Sequence, residues 1–398
     1  MTLISRRLPV RRWRSVGFAV LFGLLVGCPI RDLPPPIEVQ PVAHQERGAD
    51  PSAAAQPVAA TPTQRDDLQQ WVADVLRANR ENRRLSTDVN AAWQIMHGVL
   101  AYGRELEIAT PSGQQPAVEY LLGGGAARGF DLRGGDWFEL PQRGDEPPTQ
   151  LRGLVADLQP GAKIGQGHRD QWVAYMARCG LTAEDVVVTR DGPLTIGGWI
   201  KQIQWDVPRN FEHEFSWTLT ALLAHRPTTD RWTARDGRDY SIESLLESEL
   251  RELSPASACG GSHRLCAIAN ALNQHRQAGQ PIIGVWAEAN NLVKLAIEQT
   301  REFQNADGSF SANYFERPGW SVDLVEALGT TGHAFEFLAV AGDDDLLRQA
   351  WVESAARFLC RTLEQTAELD LECGALYHAL SGLSIYHERL SGTLTPPN

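Results

Sequence analysis

Gly329-Thr-Thr-Gly-His333-Ala-Phe-Glu-Phe-Leu-Ala-Val340 is the stretch whose reading decides the fold. Small residues lead into a segment that is apolar nearly all round and carries one histidine. A helix of that composition has to be buried on every side. Upstream, Trp286-Ala-Glu-Ala-Asn-Asn-Leu-Val-Lys-Leu-Ala296 is apolar along one face and polar along the other. That is the pattern of a helix lying on a core with its back to water. Two kinds of helix in succession point to two layers.

Working outward, the first kind recurs at Trp93 to His97, Gly165 to His168, Ser216-Trp217, Gly260 to His263, Gly329 to His333 and Cys373 to His378, at intervals of 71, 49, 46, 70 and 45 residues. The second kind recurs near 64–81, 117–123, 195–205, 241–253, 284–303 and 344–365. Six apolar helices alternating with six amphipathic ones predict an all-α fold, an α6/α6 toroid with the apolar set inside. The alternative, an open superhelix of helix pairs, calls for even spacing and polar end repeats, and neither is present. Small β-hairpins are predicted at 107–113, 187–192 and 232–237, each turned at a glycine and feeding an amphipathic helix.

One motif speaks for ring closure. Gln304-Asn-Ala-Asp-Gly-Ser-Phe310 resembles the QW motif of the terpenoid cyclases, whose toroid is shared by protein prenyltransferase β subunits. The resemblance implies a structural tie from an outer helix to the next loop. The acidic signature of the cyclases is missing, and Asp343-Asp-Asp345 reads as a helix cap, so terpene cyclisation is not implied.

The chain opens with arginines at 6, 7, 11, 12 and 14, then an apolar run from Val16 to Val26 that is too short to span a bilayer. It ends Leu25-Val-Gly-Cys28, which resembles the lipobox of bacterial lipoproteins. That resemblance implies lipidation of Cys28, a membrane anchor and a place in the cell envelope, facing the periplasm or on the outer membrane. The expected organisation is a signal at 1–27, a Pro/Ala-rich disordered tether at 28–63, a toroid domain at 64–392 and a tail at 393–398. Removing the five basic residues of the signal takes the formal charge from −12 to −17. A domain that acidic repels phosphate, so nucleic acid is excluded as a partner. A monomer is expected.

The chemistry-bearing residues gather where inner helices begin. His168, His263 and His333 follow Gly or Ser, which puts them in first helical turns, where the dipole keeps imidazole neutral and fit for a base or a metal ligand. They are the candidate catalytic residues. Trp172, Trp217, Arg264, Tyr377 and His378 are candidate ligand-binding residues, and so are Asn313, Tyr314 and Arg317 in the long 309–320 loop, expected to cover the mouth. Asp170, Glu214, Asp323, Glu336 and Glu372 are the carboxylates near that mouth, and Arg169 is a further cation. Glycan is the leading ligand class, because aromatic surface suits sugar stacking. A second reading is a non-catalytic interaction scaffold whose histidines cap and pack. A third is a zinc enzyme. Cys259, His263 and Cys373, with His333 or His378, match in residue types the two Cys and one His of the lanthionine-forming cyclases, also toroids; a Cys259–Cys373 disulfide is the competing fate of those thiols.

Overall fold

The computed structural model describes residues 62–140, 150–157, 168–210 and 214–392. The signal, Cys28, nearly all of the tether and the tail at 393–398 lie outside the described residues. Within them the protein is helix-rich, with small antiparallel hairpins and no closed barrel. No described helix is long and apolar enough to cross a membrane.

The expected alternation is present. Helices α1 (Pro62–Asn82), α3 (Ala117–Leu122), α5 (Ile196–Asp206), α7 (Ile242–Glu252), α9 (Val285–Glu302) and α12 (Ala350–Gln365) alternate with α2 (Ala92–Tyr102), α4 (Gln171–Tyr175), α6 (Ser216–Leu223), α8 (Ser262–Gln277), α10 (Leu324–Ala341) and α13 (Cys373–Ser391). A single turn, α11 (Asp344–Leu347), splits off the start of the last amphipathic element. It is capped by Asp343, whose side chain accepts from Leu346 N, as the Asp343 to Asp345 run predicts. Helix α2 packs on α4, α4 on α6, α6 on α8, α8 on α10, α10 on α13, and α13 on α2. Burial follows composition: every residue of α10 from Ala327 to Ala339 is buried.

Helices α10 and α13 share the most extensive contact among the described helices. A methyl group on Gly332 would meet Ala379, and one on Gly382 would meet the backbone of Glu336. The missing side chains let the two helices touch, which brings His333 and His378 together.

The three predicted hairpins form: β1 (Glu107–Thr110) with β2 (Gly113–Pro116), β5 (Val186–Thr189) with β6 (Gly192–Thr195), and β7 (Arg231–Thr233) with β8 (Asp239–Ser241). The last two lead into helices through side-chain caps, Thr195 accepting from Gly198 N and Ser241 from Ser244 N. A fourth hairpin, β3 (Asp131–Glu139) with β4 (Gln150–Asp157), was not expected. Its glycines break the alternation that marks a strand, and they are required because Gln202 of α5 fills the space a side chain would take at Gly135 and Gly153.

Two placements correct the sequence reading. His168 precedes α4 and lies outside it, and His333 is the tenth residue of α10, far from the first turn. The true start signal of α10 is Asp323, which accepts from Val325 N and Glu326 N. The small residues at 329–332 serve the α13 contact and do not begin a helix. The Gln304 motif does act as a tie: its Nε2 donates to Gly308 O at 3.0 Å and to Trp351 O at 2.8 Å, joining the end of α9 to the start of α12. Phe310 is buried with its ring 6.0 Å from that of Trp351.

Candidate metal centre

Cys259 sits in a short turn, Ala258–Gly261, ahead of α8. Three successive residues there, Cys259, Gly260 and Gly261, have φ of 49°, 63° and 85°. Glycine adopts such angles freely and cysteine does not. The turn holds the thiol over the first turn of α8, where His263 projects. Across the helix contact, α10 brings His333. One ligand atom each from Cys259, His263 and His333 lies within 4.8 Å of the others.

The outward nitrogens of both rings are fixed. His263 Nδ1 donates to Glu214 Oε1 at 3.2 Å, and His333 Nδ1 donates to Gly329 O at 2.7 Å. A carbonyl oxygen can only accept, so His333 carries its proton on Nδ1 and keeps a lone pair on Nε2. His263 Nε2 is buried and faces the Cys259 thiol. Cys259 and His263 are half-buried and His333 is buried.

The charges follow from the packing. Burial raises the Cys259 pKa, but the facing His263 and His333 outweigh it and bring it down to about 6. Burial likewise opposes charge on His263, yet Cys259 and Glu214 raise it to about 10. A neutral His263, expected from the helix dipole, is therefore corrected: without a metal it is an imidazolium between a thiolate and a carboxylate. His333 is lowered by burial and then by His378.

A shell of further groups supports these three. His378 stacks on His333 at 4.1 Å, and its Nδ1 is 2.6 Å from Glu336 Oε2. Burial pushes the Glu336 carboxyl up and His378 well down. His97 Nδ1 donates to Trp93 O at 2.7 Å, Tyr175 donates to His97 Nε2 at 2.9 Å, and Gln171 donates to Tyr175. The Trp217 ring lies 4.9 Å from His263 and 5.1 Å from Tyr175. Tyr314, at φ 54°, is half-buried, rests on Gly260 and meets the His333 ring edge-on at 6.4 Å. Burial raises its phenol pKa, and the Cys259 charge adds to the rise.

Several expected site residues stand elsewhere. Trp172 is buried in the core, edge-on to Phe130 at 5.8 Å, where no ligand stacks on it. Tyr377 is also buried, and burial raises its phenol pKa. Glycan stacking thus keeps only Trp217 and Tyr314 of the expected aromatic surface. Arg264 donates to Glu249 Oε1 at 2.7 Å and lies 4.0 Å from Glu214. It is committed to two carboxylates and is not a free cation. Asn313 is used within its loop, its side chain donating to Pro318 O, and Arg317 is exposed. Asp323 and Glu372 are helix caps. His168 pairs with Asp170 at 3.6 Å, and Asp170 accepts from Thr218 and Asn210. Cys373 is buried and outside the Cys259 group, and all five described cysteines are free thiols, so neither the zinc set containing Cys373 nor the disulfide is present.

Glu249 was missed. It is fully buried on α7 and accepts from Phe215 N, Ser216 Oγ and Arg264 Nη1, each at 2.7 Å. The signal was available: Ile242, Leu245, Leu246 and Glu249 run i, i+3, i+4, i+7, so this acid lies in the apolar stripe.

No protein-family model, no curated protein and no solved structure matches this chain.

Proposed function

We propose that the protein is a zinc-dependent enzyme built on an α6/α6 toroid and held at the cell envelope through Cys28. Cys259 Sγ and the Nε2 atoms of His263 and His333 would hold the ion, leaving one position for a ligand. One thiolate with two imidazoles is a borderline-soft donor set that suits zinc. The observation that carries the reading is the support behind the rings. Metal-binding histidines donate their other N–H to a carboxylate or a carbonyl, as His263 does to Glu214 and His333 to Gly329. When bound, zinc supplies Lewis acidity to an oxygen or sulfur atom of the ligand. The chain's own contribution is to aim Nε2 of both rings at the ion, His333 with its lone pair already free and His263 giving up a proton as the metal binds, and to keep the thiol ionised. The cyclic packing order of α2, α4, α6, α8, α10 and α13 supports the toroid.

Metal analysis of untagged protein tests this. About one equivalent of zinc is expected, lost in Cys259→Ala and His333→Ala; less than about a tenth of an equivalent in the parent overturns it. Cobalt in its place is expected to show sulfur-to-metal charge transfer. The anchor is tested separately: fatty-acid labelling disappears in Cys28→Ser, or the lipobox reading fails.

A second reading is favoured by one feature. Cys259, His263 and Glu214 alone compose a thiolate, an imidazolium and a carboxylate, the parts of a cysteine nucleophile. Under it, metal-free protein reacts with iodoacetamide at Cys259 near pH 7 and zinc is absent from the native protein.

A further inference from the structure

Among the described residues, two other than glycine have positive φ: Cys259 and Tyr314. They come from segments 55 positions apart in the chain, and both are at the same place. The Tyr314 ring lies on Gly260, where an added Cβ would stand 2.3 Å from ring carbon Cγ. A bulky side chain holds a left-handed backbone only where its surroundings over-determine it, and such strain gathers at ligand clamps and active sites. The loop is well fixed for that purpose. Asn305 Nδ2 donates to Phe310 O at 3.3 Å and to Gly319 O at 3.0 Å, and Ser311 Oγ donates to Arg317 O at 2.6 Å. The Gln304 motif immediately before it anchors its base. Glycine at 260 therefore meets two demands, its own φ of 63° and room for the tyrosine ring. The fixed loop thus presents one phenol, half-buried, edge-on to His333 and close enough to Cys259 to feel its charge.

Resting on the metal-centre reading, we infer that the Tyr314 hydroxyl is the hydrogen-bond donor to a ligand entering the Cys259, His263 and His333 group, and that this ligand presents a carboxylate or carbonyl oxygen. A phenol is protonated at neutral pH and donates one hydrogen bond, which an oxygen accepts well and a sulfur poorly. Three acceptors around the group are engaged, Glu214, Gly329 O and Glu336 each holding a ring nitrogen. Tyr314 adds a donor to that group, and its ring and that of Trp217 come from different elements and meet different histidines.

The test uses the full-length chain in detergent, loaded with cobalt(II), with ligand affinity read from the change in the cobalt absorption spectrum. Acetate is the oxygen probe and 2-mercaptoethanol the sulfur probe. In Tyr314→Phe, acetate is expected to bind about tenfold or more weakly, the loss of one hydrogen bond to a charged acceptor, while 2-mercaptoethanol binds as before. If Y314F proves poorly folded by circular dichroism, Tyr314→Leu gives the same comparison. Unchanged acetate affinity, or equal weakening of both probes, overturns the assignment of Tyr314 and leaves the metal centre standing. Failure of the parent protein to take up cobalt overturns the metal centre and this inference with it.

Discussion

Gly332→Ala tests the link between helix packing and the site. A methyl at this position would lie 2.7 Å from Ala379 Cβ, 2.8 Å from its Cα and 2.9 Å from its nitrogen. Ordinary contact begins at 3.4 Å, so α10 and α13 must part by about 0.7 Å there. Two of the three atoms are backbone and have no rotamer to escape into. Overpacking costs about 1–3 kcal/mol, and rigid backbone puts this case near about 3. Alanine recovers about 1 kcal/mol over glycine in a helix interior. The net expectation is a loss of about 2 kcal/mol. Gly329→Ala, one turn earlier, is the control: its methyl meets Ala375 Cβ at 3.1 Å. Overpacking of about 1 kcal/mol there is offset by helix propensity, leaving little change. Urea denaturation of both variants, compared at equal m, reads the difference. The same movement shifts the backbone that carries His333 and so its place against Cys259 and His263, and G332A should also bind cobalt more weakly than G329A. Equal stability of the two variants would refute the claim that close backbone approach, and no other property of glycine, is what position 332 supplies.

Glu214→Gln removes the carboxylate behind His263 and is expected to weaken zinc binding about 10- to 100-fold in competition with a chromophoric chelator; an unchanged affinity means that Glu214 does not orient the ligand. Gln304→Ala deletes two hydrogen bonds, one to Gly308 O in the loop after α9 and one to Trp351 O of α12. At about 0.5–1.5 kcal/mol each, the variant should lose about 1–3 kcal/mol in urea, with cobalt affinity retained. His97 is buried and its pKa is lowered by burial to about 3, against about 6.5 when unfolded. Its contribution to stability is therefore complete above pH 6.5 and is lost as pH falls from there toward 3, at up to about 1.4 kcal/mol per unit. Unfolding measured between pH 7 and 4 should show a flatter slope in His97→Gln.

The periodic part of the architecture was legible because it is local. A helix apolar all round and a helix apolar on one face differ in residues that are neighbours in sequence, and the six-by-six alternation emerged at the right places. The hairpins were legible from their turn glycines, except for β3 and β4, where glycine was present for the sake of Gln202. Helix starts were read less well. Asp323 with Glu326 is an ordinary cap, but the small residues at 329–332 outweighed it in the sequence because their purpose, contact with Ala379, is not local.

The site divides along the same line. Residue types alone drew attention to His263, His333, Cys259 and Tyr314, and chain position marked them as lying near inner helices. Which of them meet was decided by packing. Cys259 and His333 are 74 positions apart and are joined by the α8 to α10 contact. Tyr377 and His378 are adjacent, yet a helix turns about 100° per residue, and so it is the second that stacks on His333. Trp172 looked like a ligand surface and is core, and Glu249, in the apolar stripe of α7, is fully buried. Sequence determined the helices, because hydrogen bonding and side-chain periodicity act over a few residues. Tertiary structure decided the site, because convergence of side chains depends on helix rotation and on the distance at which two backbones can touch.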